Sequence, residues 1–269
     1  MPSAAALRIQ IEHSLEHRFP AALTPVPRTI REVAPTGIRV VDDLLDGGLP
    51  LGAISEITGP ESSGRTSLAL SFLAGRTLEG QVCAWVDADD AFDPESAAAC
   101  GVCLKQLLWV RCRSAGEPKK GKPGTRVWTR LDQALRAADL LLQAGGFAAI
   151  VLDLGNTLPE HGNRIPLASW FRFRQAADRI RCSLVVLGQA AFAQSSAAMV
   201  VECTLLKANT KAGTVLSGLG YEVRRVRQRM TPAMAGARKP PASTWSAAGA
   251  WDAAGAWVTA GARDMEKRA

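Results

Sequence analysis

The sequence predicts an α/β fold: a mostly parallel, twisted sheet with helices on both faces. Short apolar or β-branched runs recur at "AISEIT" (53–58), "VCAWVDA" (82–88), "AAIVLDL" (148–154) and "SLVVLGQ" (183–189), the length and composition of buried strands. Amphipathic stretches such as "RTSLALSFLAGR" and "RLDQALRAADLLLQAGG" lie between them. Strands that alternate with helices bring parallel neighbours together, and a parallel sheet is covered on both sides. A third observation fixes the direction of one unit. "AISEIT" runs straight through "GPESSGRTS" (59–67) into an amphipathic helix.

Ahead of this core, apolar residues at Leu7, Ile11 and Leu15 form one stripe of a helix over residues 5–18. "FPAALTPVP" ends it as a stiff linker. The stripe has to bury itself on its own domain or on another molecule, so self-association through this helix is one expectation. Behind the core, the composition shifts at about residue 231 to Ala/Gly repeats carrying Trp245, Trp251 and Trp257. A six-residue period suits neither a helix face nor strand alternation, and a low-complexity, disordered tail is expected, its tryptophans either anchors for a partner protein or neutral expansion. The expected organisation is an N-terminal helix and linker (1–35), a core domain (36–230) and a tail (231–269).

Composition narrows the class. The chain has 269 residues, 47% hydrophobic and 21% charged, enough for a full core and ordinary for a soluble domain. No apolar run reaches the length of a bilayer span, and the acidic residues in "MPSAAALRIQIEHSLEH" argue against a secretory signal, so a cytoplasmic protein is expected. Cysteines 83, 100, 103, 112, 182 and 203 are scattered through apolar segments and read as buried thiols. Cys100 and Cys103 form a C-x-x-C with Cys112 nearby, but a metal site would need a fourth ligand and the three histidines, His13, His17 and His161, have no matching spacing. The net charge of +7 is concentrated in "RCRSAGEPKKGKPGTRVWTR" (111–130) and "RRVRQR" (224–229), clusters that suit a polyanion or a solvated face.

The stretch "GPESSGRTS" matches the phosphate-loop pattern G-x-x-x-x-G-K-[ST] except that arginine stands at 65. Gly59 and Gly64 permit the turn. The backbone N–H groups of Pro60 to Ser67, proline excepted, can line an anion cradle with Glu61, Ser62 and Ser63 on its rim. Thr66 is placed to ligate Mg²⁺ through its hydroxyl, and Asp153, ending an apolar strand, has the form of the carboxylate that holds the ion's water shell. Arg65 keeps the charge of lysine on a longer, planar fork, which favours anion affinity over exact charge placement. In "VDADDAFDP", Asp87, Asp89 and Asp90 end another strand and Asp93 follows. These acids read either as water-activating or nucleotide-holding groups, or as a capped turn into the helix "DPESAAA".

The phrases "TGIRVVDDLLDGGLPLGAISEITGPESSGRTSLALSFLA" and "GQVCAWVDADDAFDP" resemble the RecA recombinase family, a likeness running from about Thr36 to Arg229. The resemblance implies a RecA-like P-loop NTPase core, with ATP and Mg²⁺ as cofactors. It implies that the strand ending at Gln189 lies between the phosphate-loop strand and that of Asp153, with Gln189 sensing the terminal phosphate. It also places the family's catalytic glutamate on Asp89, one methylene shorter, and its adenine-contacting aspartate on Asp93. Its adenine-stacking tyrosine falls on Ser96.

The long DNA-binding loop that follows the sensor glutamine in the family is here "AAFAQSSAA", and "GNTLPEHGNRIPLAS" is unlike the family's first DNA loop. These departures resemble the ImuA-type branch, RecA-like accessory proteins of mutagenesis cassettes. That branch implies a role in SOS damage tolerance and translesion synthesis, beside a DNA polymerase-like factor or another repair protein, with weak ATP turnover at most. Arg224, Arg225, Arg227 and Arg229 are the expected contacts to DNA or to that partner. The alternative is an active recombinase, a DNA-dependent ATPase.

Overall fold

The structure, a computed structural model, describes residues 29–113, 129–211, 215–232, 242–247, 250–251 and 257–258. The expected N-terminal helix and the basic stretch 114–128 lie outside the described residues. In chain order the elements begin with β1 (Thr29–Arg31), β2 (Val33–Ala34), α1 (Arg39–Leu44), β3 (Leu49–Pro50), β4 (Ile54–Thr58) and α2 (Arg65–Leu78). There follow β5 (Cys83–Asp87), α3 (Pro94–Ala99), β6 (Leu107–Arg111), α4 (Arg130–Ala144) and β7 (Ala149–Asp153). The chain continues with α5 (Pro159–Gly162), α6 (Leu167–Ile180), β8 (Ser183–Gly188), β9 (Ala197–Lys211), β10 (Val215–Gln228), β11 (Met230–Pro232) and β12 (Ala242–Ala247).

The main sheet has eight strands in the order β12-β10-β9-β4-β8-β7-β5-β6. From β9 to β6 every pairing is parallel, while β10 and β12 add antiparallel to the β9 edge. The fold is therefore the α/β, mostly parallel arrangement that the alternating pattern predicts. β12 falls inside the segment expected to be a tail: its backbone pairs with β10 from Leu219↔Ala247 to Arg224↔Ala242. Little in "ASTWSA" signals a strand, and an open edge on β10 supplies the partner that local composition cannot.

The central strands are apolar along their length because both faces are covered. On one face Ile57, Trp85, Val151, Val185, Leu187, Val201 and Cys203 meet Leu68, Phe72 and Leu73 of α2. On the other, Ile54, Ala84, Val86, Ile150, Leu152, Leu184 and Val186 meet Ala134, Ala138 and Leu142 of α4 and Trp170, Phe173 and Ala177 of α6. Helix α4 starts on a capping box, in which Thr129 accepts from the Asp132 N–H and Asp132 accepts from the Thr129 N–H.

Because β4, β8, β7 and β5 run parallel, the loops that follow them emerge at one end of the sheet, the position where open α/β sheets hold ligands. Backbone hydrogen bonds tie that end together: Gly59 N donates to Gly188 O at 3.2 Å, Leu154 N to Leu187 O at 3.0 Å and Ala88 N to Asp153 O at 3.2 Å. Among the described residues no helix is long and apolar enough to cross a membrane.

Trp170 is fully buried and stacks edge-on against Phe173 at a centroid distance of 5.8 Å. Trp170→Ala should lower the free energy of unfolding by about 3–5 kcal/mol, read by urea denaturation. A loss below about 1 kcal/mol would mean that α6 is not anchored to the sheet through this ring.

Candidate functional site

The turn between β4 and α2 has the shape that its glycines promised. Gly59 has φ 150° and Gly64 has φ 89°. A Cβ on Gly59 would stand 2.2 Å from the Cys203 carbonyl oxygen, and one on Gly64 would stand 2.9 Å from the Tyr221 ring. Both positions therefore exclude a side chain twice over, by conformation and by space. Ser62 also takes a left-handed conformation, φ 59°. Gly64 is the N-cap of α2 and provides no side-chain hydrogen bond, so the first turn presents its N–H groups to the loop. The Ser63 hydroxyl is buried without a hydrogen-bond partner. Glycines that a Cβ would obstruct, an uncapped helix start and an orphaned hydroxyl fit an anion such as a nucleotide phosphate. Pro60, Glu61, Ser62 and Thr66 are exposed on the rim, and Ser67 is half-buried.

Arg65 turns away from this rim. It is 8% exposed, and its Nη1 donates to the Gly155 carbonyl oxygen at 3.3 Å. Burial lowers the pKa of its guanidinium, while Asp153, Cys203 and Glu61 raise it. Asp153 ends β7 as expected and accepts a hydrogen bond on Oδ1 from Gly155 N at 2.9 Å. Burial pushes its pKa up to about 6; the nearby Asp87 and Asp89 add to the rise, and the Gly155 N–H and Arg65 oppose it.

The acidic stretch divides into separate tasks. Asp87, 1% exposed, accepts from Ala91 N and Phe92 N at 3.0 and 2.9 Å and from Trp109 Nε1 at 3.2 Å, which folds the turn after β5. Asp90, at φ 60°, pairs with Arg111 through two bonds of 2.6 and 2.7 Å. Asp89 Oδ2 accepts from Asn156 N at 3.3 Å, which brings it to the loop after β7. Asp93 is the N-cap of α3, accepting from Glu95 N, Ser96 N and the Ser96 hydroxyl. The capped-turn alternative thus describes Asp93 and Ser96 in this structure.

Whether Mg²⁺ fits is decided by what these acids already hold. Thr66 is exposed, but the Asp153 carboxylate is engaged by Gly155 N and faces a buried guanidinium. Among the described residues no three His, Cys, Asp or Glu side chains gather closely enough to hold a metal ion. The phosphate cradle fits its ligand. Thr66 on the rim and Asp153 at the end of β7, whose Oδ1 is held by Gly155 N, are the residues that would hold Mg²⁺, an ion that fills most of its shell with water and phosphate oxygens.

Gln189 follows β8 directly, and β8 lies between β4 and β7, the placement that the resemblance implies. Its side chain is half-buried beside the loop mouth, where Gly188 O receives the Gly59 N–H. The segment after it is tied down. Glu56, in the middle of β4 and 1% exposed, accepts from Phe192 N at 2.6 Å and Ala193 N at 2.8 Å. Burial raises its carboxyl pKa, and those two N–H groups and Arg227 draw it back. Phe192, itself 1% exposed, is wedged against two glycines: a Cβ would stand 2.3 Å from its ring at Gly162 and 2.8 Å at Gly188.

The four candidate arginines do not form one patch. Arg224 pairs across the ladder with Glu202. Arg225 donates to Asp46 at 2.9 Å and to Gln228 at 2.8 Å. Arg227 donates to the Gln194 carbonyl oxygen and lies 3.8 Å from Glu56. Arg229 donates to the Ser195 carbonyl oxygen at 3.3 Å. Ala198, whose carbonyl accepts from Arg229 N, follows Ala197, the partner of the first residue of β4. Arg229 therefore lies at the far end of the sheet from the phosphate loop. Glu56, Phe192, Gly155 and Tyr221 were missed at the level of sequence. Glu56 carried a signal, since an acid inside a fully buried strand demands partners.

The raised Asp153 pKa has a definite sign. The folded chain holds the proton more tightly than the unfolded chain, so stability falls as pH rises from about 4 to about 6 and stays lower above that window. Asp153→Asn should remove that fall, on the order of 2–3 kcal/mol, in urea denaturation followed from pH 4 to 7. Parallel profiles for the two proteins would mean that the carboxyl titrates normally.

Comparison with known proteins bears on this geometry. The RecA N-terminal domain family matches residues 23–161, more than half of the chain. Protein RecA of Bifidobacterium longum is 38% identical over 145 residues, 54% of this chain and 32% of the relative. Protein RecA of Cutibacterium acnes is 42% identical over 120 residues, 44% of this chain and 30% of the relative. Protein RecA of Brucella anthropi is 33% identical over 173 residues, 59% of this chain and 44% of the relative. The chain thus spans between 30% and 44% of the length of these relatives. With a phosphate loop of this shape at the C-terminal end of a parallel sheet, and a family match over most of that core, the chain belongs to the RecA family.

Proposed function

We propose that this RecA-family chain is an accessory protein of DNA repair and damage tolerance, acting in translesion synthesis beside a polymerase-like partner, with feeble ATP turnover at most. The observation that carries the reading is the tethered segment 190–196. A loop that couples nucleotide to DNA has to move, and here Glu56, Arg227 and Arg229 hold the N–H groups of Phe192 and Ala193 and the carbonyl oxygens of Gln194 and Ser195. The segment contains no basic residue with which to grip a phosphate backbone.

Three further features support weak catalysis. Asp89 is the candidate for orienting an attacking water, and its carboxylate is one methylene shorter than the family's glutamate and engaged with Asn156 N. Asp93 and Ser96 are consumed in the cap of α3, which leaves that stretch without a group to stack on an adenine ring. Arg65 is drawn towards Gly155 instead of the cradle. Binding through the backbone cradle survives such changes better than transition-state stabilisation, which depends on exact placement of charge. ATP is the nucleotide of this reading, with Gln189 at the mouth of the site; Mg²⁺, through Thr66 and Asp153, is what the family resemblance implies. The domain organisation in this reading is the core 36–230 with flanking segments that serve partner contact, in a cytoplasmic protein. Of the arginine group, Arg224 is exposed and takes no part in holding segment 190–196, which makes it the candidate contact to DNA or to a partner.

An active recombinase is the second reading, favoured by the relatives' identity of 38% over 145 residues and 42% over 120 residues. ATP hydrolysis measured with and without single-stranded DNA separates the two. The accessory reading expects slow turnover, changed less than about twofold by DNA, and less than about tenfold recovery in Arg65→Lys because Asp89 and Ser96 also differ. Robust DNA-stimulated turnover, or full recovery by that single change, would establish the second reading in its place.

A further inference from the structure

We propose that the cavity at the far end of the sheet from the phosphate loop, between the C-terminal half of α6 and the start of β9, is a docking site for an acidic segment of a protein partner. The inference rests on the reading of this chain as one that works through such a partner, and it assigns a contact in addition to Arg224. The cavity measures about 360 Å³ and is lined chiefly by Arg31, Arg174, Asp178, Ser195, Ser196 and Arg229. Its frame is closely packed. Arg31 Nη1 donates to the Gly52 carbonyl oxygen and to Asp178 Oδ1, each at 2.7 Å. A Cβ on Gly52 would stand 3.4 Å from that Nη1 and from the Cα atoms of Asp178 and Arg181. The end of α6, the turn before β4 and the end of β1 are therefore joined around the cavity.

Charge decides what the cavity can take. Three guanidinium groups stand there against one carboxylate, and that carboxylate, Asp178, is already paired with Arg31. Among the described residues neither Arg174 nor Arg229 is paired with an acid. Arg174 is exposed and stacks its guanidinium on the Phe171 ring at 4.9 Å, which leaves its N–H groups unspent. Arg229 is exposed too and spends Nη1 on the Ser195 carbonyl oxygen. The surplus is felt next door: burial lowers the pKa of the Arg227 guanidinium, and the charge of Arg229 lowers it further against the pull of Glu56. A carboxylate in the cavity would meet arginines suited to charge-assisted, two-pronged hydrogen bonds and would relieve that repulsion.

Two features favour a peptide over a nucleic-acid backbone. Leu167 and Phe171 are exposed on α6, and with Arg174 they follow the i, i+4, i+7 spacing of one helix face. Apolar contact thus continues from the charged cavity, which suits a segment that carries leucine or phenylalanine beside its acids. The rim also holds acids of its own, since Asp178 is exposed and Glu32, likewise exposed, pairs with Arg181. A phosphate backbone brings a negative charge at every step and would run against them, whereas a peptide places its carboxylates singly. Ser195 and Ser196 close the tethered segment, so an occupant of this cavity bears on the same loop that Glu56 holds.

The experiment is fluorescence anisotropy with the full chain and three probes: a labelled peptide in which glutamate pairs alternate with leucine and phenylalanine, its glutamine-for-glutamate counterpart, and single-stranded oligothymidylate. The acidic peptide is expected to bind about tenfold more tightly than its counterpart. Arg174→Gln and Arg229→Gln are each expected to weaken it about fivefold, and Arg179→Gln, on the same helix but outside this cavity, to change it less than about twofold. Equal losses in Arg174→Gln and Arg179→Gln would reduce the effect to net charge and overturn the site. Oligothymidylate that binds as tightly as the acidic peptide and weakens in Arg174→Gln would overturn the peptide assignment in favour of nucleic acid. Absence of peptide binding by folded protein would sink the docking site and leave the accessory reading to its own test by ATP hydrolysis. If Arg229→Gln, which also releases the Ser195 carbonyl, fails to fold by circular dichroism, the exposed Arg174→Gln carries the test.

Discussion

One carboxylate inside the sheet organises the working end of this molecule. Glu56 lies in the middle of β4, a strand enclosed by β8 and β9 and buried on both faces. An ionised acid there is tolerable only if it is hydrogen-bonded and has a cation near it, and removing either compensation costs several kcal/mol. The compensation comes from two backbone N–H groups of the segment after β8 and from Arg227. Holding those N–H groups fixes where Phe192 falls, and Phe192 in turn fills the space left bare by Gly162 and Gly188. The segment after β7, the end of β8 and the start of β9 are thereby set relative to one another. A side chain that reads as an oddity in an apolar strand determines the path of three connections.

The charge logic of the phosphate loop runs on similar lines. Parallel strands bring Asp87, Asp89 and Asp153 to one end of the sheet, where burial, with the charges of Asp87 and Asp89, raises the proton affinity of Asp153. Something positive must answer them. In this chain the answer comes from the loop itself, because Arg65 is long enough to reach Gly155 from the start of α2. The substitution at one motif position thus changes the electrostatics of the neighbouring strand end as well as the contact with a phosphate. The backbone cradle is unaffected, since its glycines are held by sterics and by the Tyr221 ring.

The arginines of β10 show how a charge cluster in sequence disperses in space. Strand alternation sets Arg224 opposite Arg225, Arg227 and Arg229, and the ladder irregularity between Arg225 and Arg227 separates those three in turn. Arg224 and Arg225 leave the sheet on opposite sides for Glu202 and Asp46, and Arg227 and Arg229 go to carbonyl oxygens of the tethered segment. Half of a cluster that suggested polyanion binding is thereby committed to holding a loop in place.

The local features were legible because they depend on neighbours in the chain. Apolar runs of strand length, the glycines of a tight turn, the Asp93 helix start and the direction of β4 into α2 follow from residues a few positions apart, and the structure has them all. The sequence by itself therefore determined the layered α/β class and the shape of the phosphate loop, through periodicity, steric freedom at glycine and local hydrogen bonding. Tertiary structure alone decided that Glu56 would meet Phe192 and Ala193, 136 and 137 residues away, that Arg65 would reach Gly155 across 90, and that β12 would close the edge of β10. Those outcomes depend on which buried charge or open edge finds a partner once the sheet has assembled, and contacts at such separation leave no local pattern to read.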